Sequence, residues 1–145
     1  MSYRVKDYMT RDVNTIDLDT TVVEVAEVMA ADPTYGGYVL VLKQGKPAGI
    51  VTERDIVNNV VAKKLDPSTT KTSEVTSTPL ITVDPDEDLM KASEIMRKHN
   101  VNKLPVVRDG IIYGIITSRD IANQCGAYVD RSIKDIIRWT APFGI

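Results

Sequence analysis

Cysteine and histidine are almost missing from this chain, and each shortage excludes chemistry. Among 145 residues there is one cysteine, Cys125, and one histidine, His99. A single thiol cannot close an intramolecular disulfide, and it fits a reducing compartment. One thiol and one imidazole are too few ligands for zinc, so both read as structural residues and no metal site is expected. There is no G-x-S-x-G, no second histidine and no acid pair with an evident role. No catalytic residue is assigned on that basis, and the chain is not expected to be an enzyme. A P-loop and a G-x-G-x-x-G are also missing. Charge of one sign is scarce: 18 Lys and Arg against 20 Asp and Glu leave a net charge of -2. That balance lacks the basic face of a general nucleic-acid binder, so nucleic acid is not expected as a partner. No apolar run approaches the roughly 20 residues needed to cross a membrane. The start, Met1 to Asp7, carries acid and lacks an apolar core, so it does not read as a signal peptide. These absences leave the expectation of a cytoplasmic protein. With 43% hydrophobic residues, a core can form without staples.

What is present is a repeat. Thr15-Ile16-Asp17-Leu18-Asp19 matches Thr82-Val83-Asp84-Pro85-Asp86 at an offset of 67. Glu27-Val28-Met29 falls on Glu94-Ile95-Met96 at the same offset. Further on the offset becomes 65, bringing Gly45 onto Gly110, Gly49 onto Gly114, Thr52 onto Thr117 and Asp55 onto Asp120. The first copy therefore holds two extra residues, near Asp32-Pro33-Thr34-Tyr35.

Each copy reads as strand, helix, strand, strand, helix. Val13 to Ile16 and Leu80 to Val83 are short apolar-threonine segments, strands or extended loops. Asp19 and Asp86 are N-cap candidates for the helices that follow. Val22, Val25, Ala26 and Met29 recur at helical spacing, as do Leu89, Ala92, Ser93 and Met96. Tyr38 to Leu42 and Lys103 to Val107 are buried-strand runs, with Pro105 expected at a strand start or edge. Lys43 to Lys46 and Arg108 to Gly110 offer glycine for positive φ, which predicts two hairpins. Helices follow from Arg54 to about Val61 and from Arg119 to about Cys125. Lys63 to Ser77 is polar and rich in Thr and Ser, a joining segment. The alternating aspartates Asp84, Asp86 and Asp88 lack the glycine and the closing glutamate of a calcium loop, so helix capping explains them better.

The two second hairpin arms end in one motif, Gly49-Ile50-Val51-Thr52-Glu53-Arg54-Asp55 and Gly114-Ile115-Ile116-Thr117-Ser118-Arg119-Asp120. A buried strand stops at the threonine, and the aspartate falls in the first helical turn, where the helix dipole favours a carboxylate. A hydroxyl beside a fixed two-oxygen acceptor suits a vicinal diol or an adjacent phosphate. For one such motif alone, a plain threonine N-cap is the better account. Two copies in matching context favour the ligand.

These paired motifs, with Asn102-Lys103-Leu104-Pro105-Val106-Val107, resemble a cystathionine-β-synthase (CBS) domain pair. The resemblance spans about Val5 to Cys125. It implies an α+β fold of two βαββα units packed with pseudo-two-fold symmetry, with residues 1–62 as the first unit, 63–72 as linker and 73–129 as the second. Residues 130–145 form a helical tail by their own spacing. The tail and its echo at Arg4 to Met9 read as packing on the outside of the pair, or else Trp139 and Phe143 dock on a second subunit. Members of the family are usually regulatory modules, some with no catalytic domain attached. Adenine nucleotides commonly bind in two clefts between the units. Carried onto this chain, the first site joins Thr52, Arg54 and Asp55 with Leu80, Ile81, Asn102 and Lys103. The second joins Thr117, Arg119 and Asp120 with Val13, Asn14, Gly37 and Tyr38. Aspartate would accept from both ribose hydroxyls, and Arg54 or Arg119 would reach phosphate with the helix N–H groups.

The two sites differ. Lys103 gives the first a further cation, and Gly37-Tyr38 gives the second none. Glu53 beside Arg54 is unfavourable for phosphate unless it points away. The resulting expectation is an energy-sensing regulatory module that binds an adenosine ligand (AMP, ADP, ATP or S-adenosylmethionine) and passes the signal on by conformational change. It needs no cofactor, forms a homodimer and acts on a protein target that the sequence does not name. The alternative is a structural dimerisation module with empty clefts.

Overall fold

The computed structural model describes residues 3–32 and 37–125. The tail and its docking residues lie outside that range, as does most of the insertion near Pro33. The described chain is α+β and forms two compact units, residues 13–80 and residues 81–125 together with 3–12. Each unit is built on an antiparallel hairpin. In the 13–80 unit these strands are β2 (Tyr38–Lys43) and β3 (Lys46–Thr52), with β1 (Thr15–Asp17) parallel to β2. In the other they are β4 (Lys103–Arg108) and β5 (Ile111–Thr117). The turns are made as the glycines suggest: Gln44 and Gly45 have φ of 54° and 77°, Asp109 and Gly110 of 52° and 76°. Two positive φ values in a two-residue loop match the right-handed twist of the flanking strands.

The helices α2 (Val22–Ala31) and α5 (Leu89–His99) bury most of the expected stripes, with Val22, Val25 and Met29 in one core and Leu89, Ala92 and Met96 in the other, while Ala26 of the first stripe is exposed. Their caps lie two residues later than the sequence suggests. Glu24 takes the Thr21 backbone N–H at 2.7 Å, and Asp88 Oδ1 accepts from the Met90 N–H at 2.7 Å. Asp19 and Asp86 do not cap. Asp17 and Asp84 accept from their backbone N–H groups at 2.8 Å each, which turns the chain before the helix begins.

The first strand of the second copy shrinks to a single parallel bridge, Val83 to Val106. Two prolines explain this. In the 13–80 unit Leu18 donates to Leu42 and Leu40 donates to Asn14, each at 2.8 Å. Pro85 and Pro105 stand at the matching positions and have no N–H to give. Pro105 is thus third in β4, with its nitrogen on the side where β4 is an edge, as the sequence led us to expect.

The leading segments are exchanged between the copies. Residues 3–12, including α1 (Val5–Tyr8), pack with 81–125, where Val5 is fully buried beside Val83, Leu89 and Met96. Arg4, Lys6 and Asp7 stay exposed, so the segment packs on its unit through Val5. Residues 71–77, including α4 (Thr72–Val75), pack with the first copy: Thr72 donates to Thr20 at 2.9 Å, and Thr72 and Val75 are buried. The two segments correspond at an offset of 67, with Arg4 bridging Asp88 and Lys71 bridging Thr21. Each then runs across the motif glycine. Thr10 and Ile115 exchange backbone bonds at 2.8 and 2.9 Å, and Ser77 and Ile50 at 3.0 and 3.4 Å. A Cβ on Gly114 would lie 2.5 Å from the Thr10 carbonyl oxygen, and one on Gly49 would lie 2.9 Å from that of Ser77. The glycines of the motif are there to admit these segments.

Candidate functional site

At the end of β3 the chain leaves the sheet at Thr52 and enters α3 (Glu53–Ile56), which continues as a π-helical turn over Val57–Val61. The carboxylate of Asp55 folds back on the threonine. Its Oδ2 accepts from the Thr52 backbone N–H at 2.9 Å and from the Thr52 hydroxyl at 3.1 Å, while the Asp55 N–H reaches Thr52 Oγ1 at 3.4 Å. At the end of β5 the same clasp forms before α6 (Ser118–Cys125). Thr117 N–H donates to Asp120 Oδ2, and Asp120 N–H donates to Thr117 Oγ1, both at 3.0 Å. Both motifs are thus N-caps, and the carboxylates are fixed by them. Capping does not exhaust a carboxylate, which has about four lone-pair sites.

The two carboxylates differ in their surroundings. Asp55 Oδ1 also accepts from the Ser77 hydroxyl at 3.2 Å. Thr10 occupies the Ser77 position in the other unit, and among the described residues Asp120 has no such bond to it. Burial pushes the Asp120 carboxyl above the usual aspartate range, against the bonds from Thr117 and the charge of Arg119.

The start of the preceding hairpin arm lies beside each clasp. Tyr38 is the register partner of Thr52, and Lys103 of Thr117. The Glu53 N–H donates to the Gly37 carbonyl at 3.1 Å and the Ser118 N–H to that of Asn102 at 3.0 Å. In the 13–80 unit the sheet therefore gathers Asn14, Gly37, Tyr38, Thr52 and Asp55 at one end. Tyr38 is 1% exposed, and its hydroxyl accepts from the Asn14 N–H at 3.4 Å. Asn14 Nδ2 in turn donates to Asp32 Oδ2 at 3.0 Å. In the 81–125 unit the same end gathers Asn102, Lys103, Thr117 and Asp120, with Lys103 Nζ 3.4 Å from Asn102 Oδ1. Val13, Leu80 and Ile81 are half-buried, and Arg54 and Arg119 are exposed. Val13 and Leu80 belong to the 13–80 unit and Ile81 to the other.

Three neighbours of the clasps were not singled out as ligand residues from the sequence. Ser77 matches Thr10 at an offset of 67, but neither residue carries a ligand signal of its own. Asp32 has no local signal. Glu53 was read only as an unfavourable neighbour of Arg54. Its carboxylate instead lies over Gly37, 3.2 Å from where a Cβ would stand there, and Gly37 has a φ of 98°. A shallow hollow lined by Asp17, Leu18, Lys43, Gln44 and Ser73 lies at the opposite, hairpin end of this sheet, away from the clasp. Among the described residues no cluster of three His, Cys, Asp or Glu could hold a metal ion. No described helix is long and apolar enough to cross a membrane.

The family model for the CBS domain matches residues 5–62 and 73–125. The CBS domain-containing protein YhcV of Bacillus subtilis is 36% identical over 118 residues, covering 81% of this chain and 82% of its own length. A CBS domain protein from Pyrobaculum aerophilum, solved in complex with AMP, has a TM-score of 0.75 at 26% identity and covers 94% of this chain and 98% of its own. Hypoxic Response Protein I, solved with two coordinated zinc ions, has a TM-score of 0.75 at 26% identity, covering 83% and 98%.

Proposed function

The chain belongs to the CBS domain family, and from that premise we propose that it is a regulatory module whose Thr–Asp clasps hold an adenosine ligand, one of AMP, ADP, ATP or S-adenosylmethionine. The observation that carries this reading is the recurrence of one clasp at the same end of both hairpins, each with its carboxylate fixed by the cap. A carboxylate held in place accepts a ribose diol without first losing side-chain freedom. The AMP bound to the similar Pyrobaculum protein supports the choice of ligand class. The strand-start residues beside each clasp, Gly37-Tyr38 next to Thr52 and Asn102-Lys103 next to Thr117, with Val13, Asn14, Leu80 and Ile81, supply further ligand contacts in this reading. A ligand that favours one arrangement of the chain biases that arrangement, and a protein target reads the bias. This is binding chemistry, and no turnover is assigned to it.

Calorimetric titration with AMP, ATP, S-adenosylmethionine and 2′-deoxy-AMP tests the reading. Wild-type protein is compared with Asp55→Asn and Asp120→Asn, which keep a cap acceptor. Loss of the 2′-hydroxyl leaves an acceptor oxygen unmatched and weakens binding by roughly tenfold or more. Equal affinity for AMP and 2′-deoxy-AMP refutes the diol role. If none of the four ligands binds, the sensing role fails.

Self-association is part of the proposal. Val57 and Val61, at the two ends of the π-helical turn, are 55% and 65% exposed, and Leu65 is 43% exposed. An apolar stripe of this kind is suited to covering by a second copy in a homodimer. Light scattering on Val57→Glu/Val61→Glu should report a smaller particle than wild type. An unchanged mass excludes this face as the dimer contact. Dimerisation in the absence of any ligand binding would favour the purely structural role.

A further inference from the structure

The two sheet ends share the clasp and differ in charge. In the 13–80 unit Glu53 lies over Gly37, and Asp32 holds the side chain of Asn14. In the 81–125 unit the matching positions hold Ser118 beside Asn102, and Lys103 stands where Tyr38 does. Arg54 and Arg119 are common to both ends, so they do not create the difference. One end therefore carries a carboxylate over its strand start, and the other carries an ammonium.

Resting on the adenosine reading above, we propose that Glu53 makes the Gly37–Tyr38 end selective for an adenosyl ligand whose 5′ substituent carries no net negative charge. Phosphorylated adenosine is then taken at the Asn102–Lys103 end. Glu53 is a specificity-determining residue in this scheme. Its N–H is committed to the Gly37 carbonyl, which keeps the residue at this strand start, and its carboxylate occupies the space over a glycine that has no side chain of its own. A phosphate arriving there meets a like charge a few ångströms away and no compensating lysine. At an intermediate effective dielectric, that repulsion weakens binding roughly tenfold or more. An uncharged 5′-hydroxyl, or a sulfonium as in S-adenosylmethionine, meets no such barrier.

Equilibrium dialysis of the full chain with AMP, adenosine and S-adenosylmethionine tests this, on wild type, Glu53→Gln and Glu53→Ser. The serine variant copies the residue that the other unit carries at this place, and Glu53 is exposed, so both variants keep the fold. We expect wild type to bind one AMP per chain, with a second at least tenfold weaker, and two adenosines of comparable affinity. S-adenosylmethionine is expected at the Gly37–Tyr38 end. Both variants should bring the second AMP to within about threefold of the first, and raising salt should narrow the gap in wild type. Two AMP of equal affinity in wild type, or a second AMP site that stays weak in both variants, overturns the assignment while leaving the adenosine reading intact. If neither AMP nor adenosine binds wild type, the adenosine reading fails and this one fails with it.

Discussion

Gly114→Ala tests the account of the exchanged segments most directly. The φ of Gly114 is not in the left-handed region, so alanine is allowed by the backbone and would ordinarily be neutral or favourable there. The cost comes from contact. The new methyl would stand 2.5 Å from the Thr10 carbonyl oxygen and 3.0 Å from Met9 Sδ. A thioether can swing away, but a carbonyl can move only with its chain. Thr10 exchanges two backbone bonds with Ile115, and five residues earlier Val5 is fully buried. Overpacking of this kind costs about 1–3 kcal/mol. The ceiling is set by release of the segment, and full burial of one valine is worth about 1.5–3 kcal/mol. A loss of about 2 kcal/mol lowers Tm by roughly 5–10 °C at this chain length. Thermal unfolding followed by circular dichroism measures it, and limited proteolysis within residues 3–12 checks that the segment has loosened. Gly49→Ala should cost less, because its tightest contact is a threonine methyl and its backbone contact is the longer one, 2.9 Å. Removing the sulfur in Gly114→Ala/Met9→Ala should recover little. A Gly114→Ala protein that melts within about 1 °C of wild type, or higher, refutes the reasoning.

Two further outcomes follow from the structure. Ser93 is fully buried in α5, and its hydroxyl has no partner among the described residues. Ser93→Ala relieves that burial and improves helix propensity, so chemical denaturation should show a gain of about 1 kcal/mol, and a loss would mean the hydroxyl is satisfied. The second concerns acid. Lys6, then Arg108, hold the Asp86 carboxyl down to about 2 from 3.8, and Arg108 lowers that of Asp84. A depressed carboxyl stabilises the fold in full above its ordinary value, and that contribution is lost as pH falls toward 2. Arg108→Gln should therefore flatten the fall of Tm between about pH 4 and 2, whereas an unchanged slope would mean the ion cluster is inert.

Much of this arrangement was legible in the sequence, because it is local. The hairpin turns were written in Gly45 and Gly110, the helices in the spacing of Val22, Val25 and Met29 or Leu89, Ala92 and Met96, and the motifs in their repetition. What escaped is non-local or competitive. Asp19 and Asp86 looked like caps, but the aspartates two residues before them had already turned the chain. The loss of a strand in the second copy needed Pro85 and Pro105 to be compared with Leu18 and Leu40 across the repeat. The matching of Arg4 to Thr10 with Lys71 to Ser77 was hidden because the likeness lies in backbone pairing, and the side chains differ. As to the ligand residues, the clasps were plain from sequence. The burial of Tyr38 and the seat of Glu53 were not, since both depend on which backbone groups lie opposite each other.

The connectivity of the exchanged segments also bears on how the protein is made. The 13–80 unit is one uninterrupted stretch of chain, and it can close as soon as it leaves the ribosome. Residues 3–12 are made before that unit, yet the core that receives Val5 includes Ile116 and Ile121, more than a hundred residues later. This segment must therefore wait, exposed, until the residues that receive it have been made. At roughly 5–20 residues per second that interval is on the order of ten seconds. During that time Tyr3, Val5, Tyr8 and Met9 are apolar surface open to chaperones or to a neighbouring nascent chain.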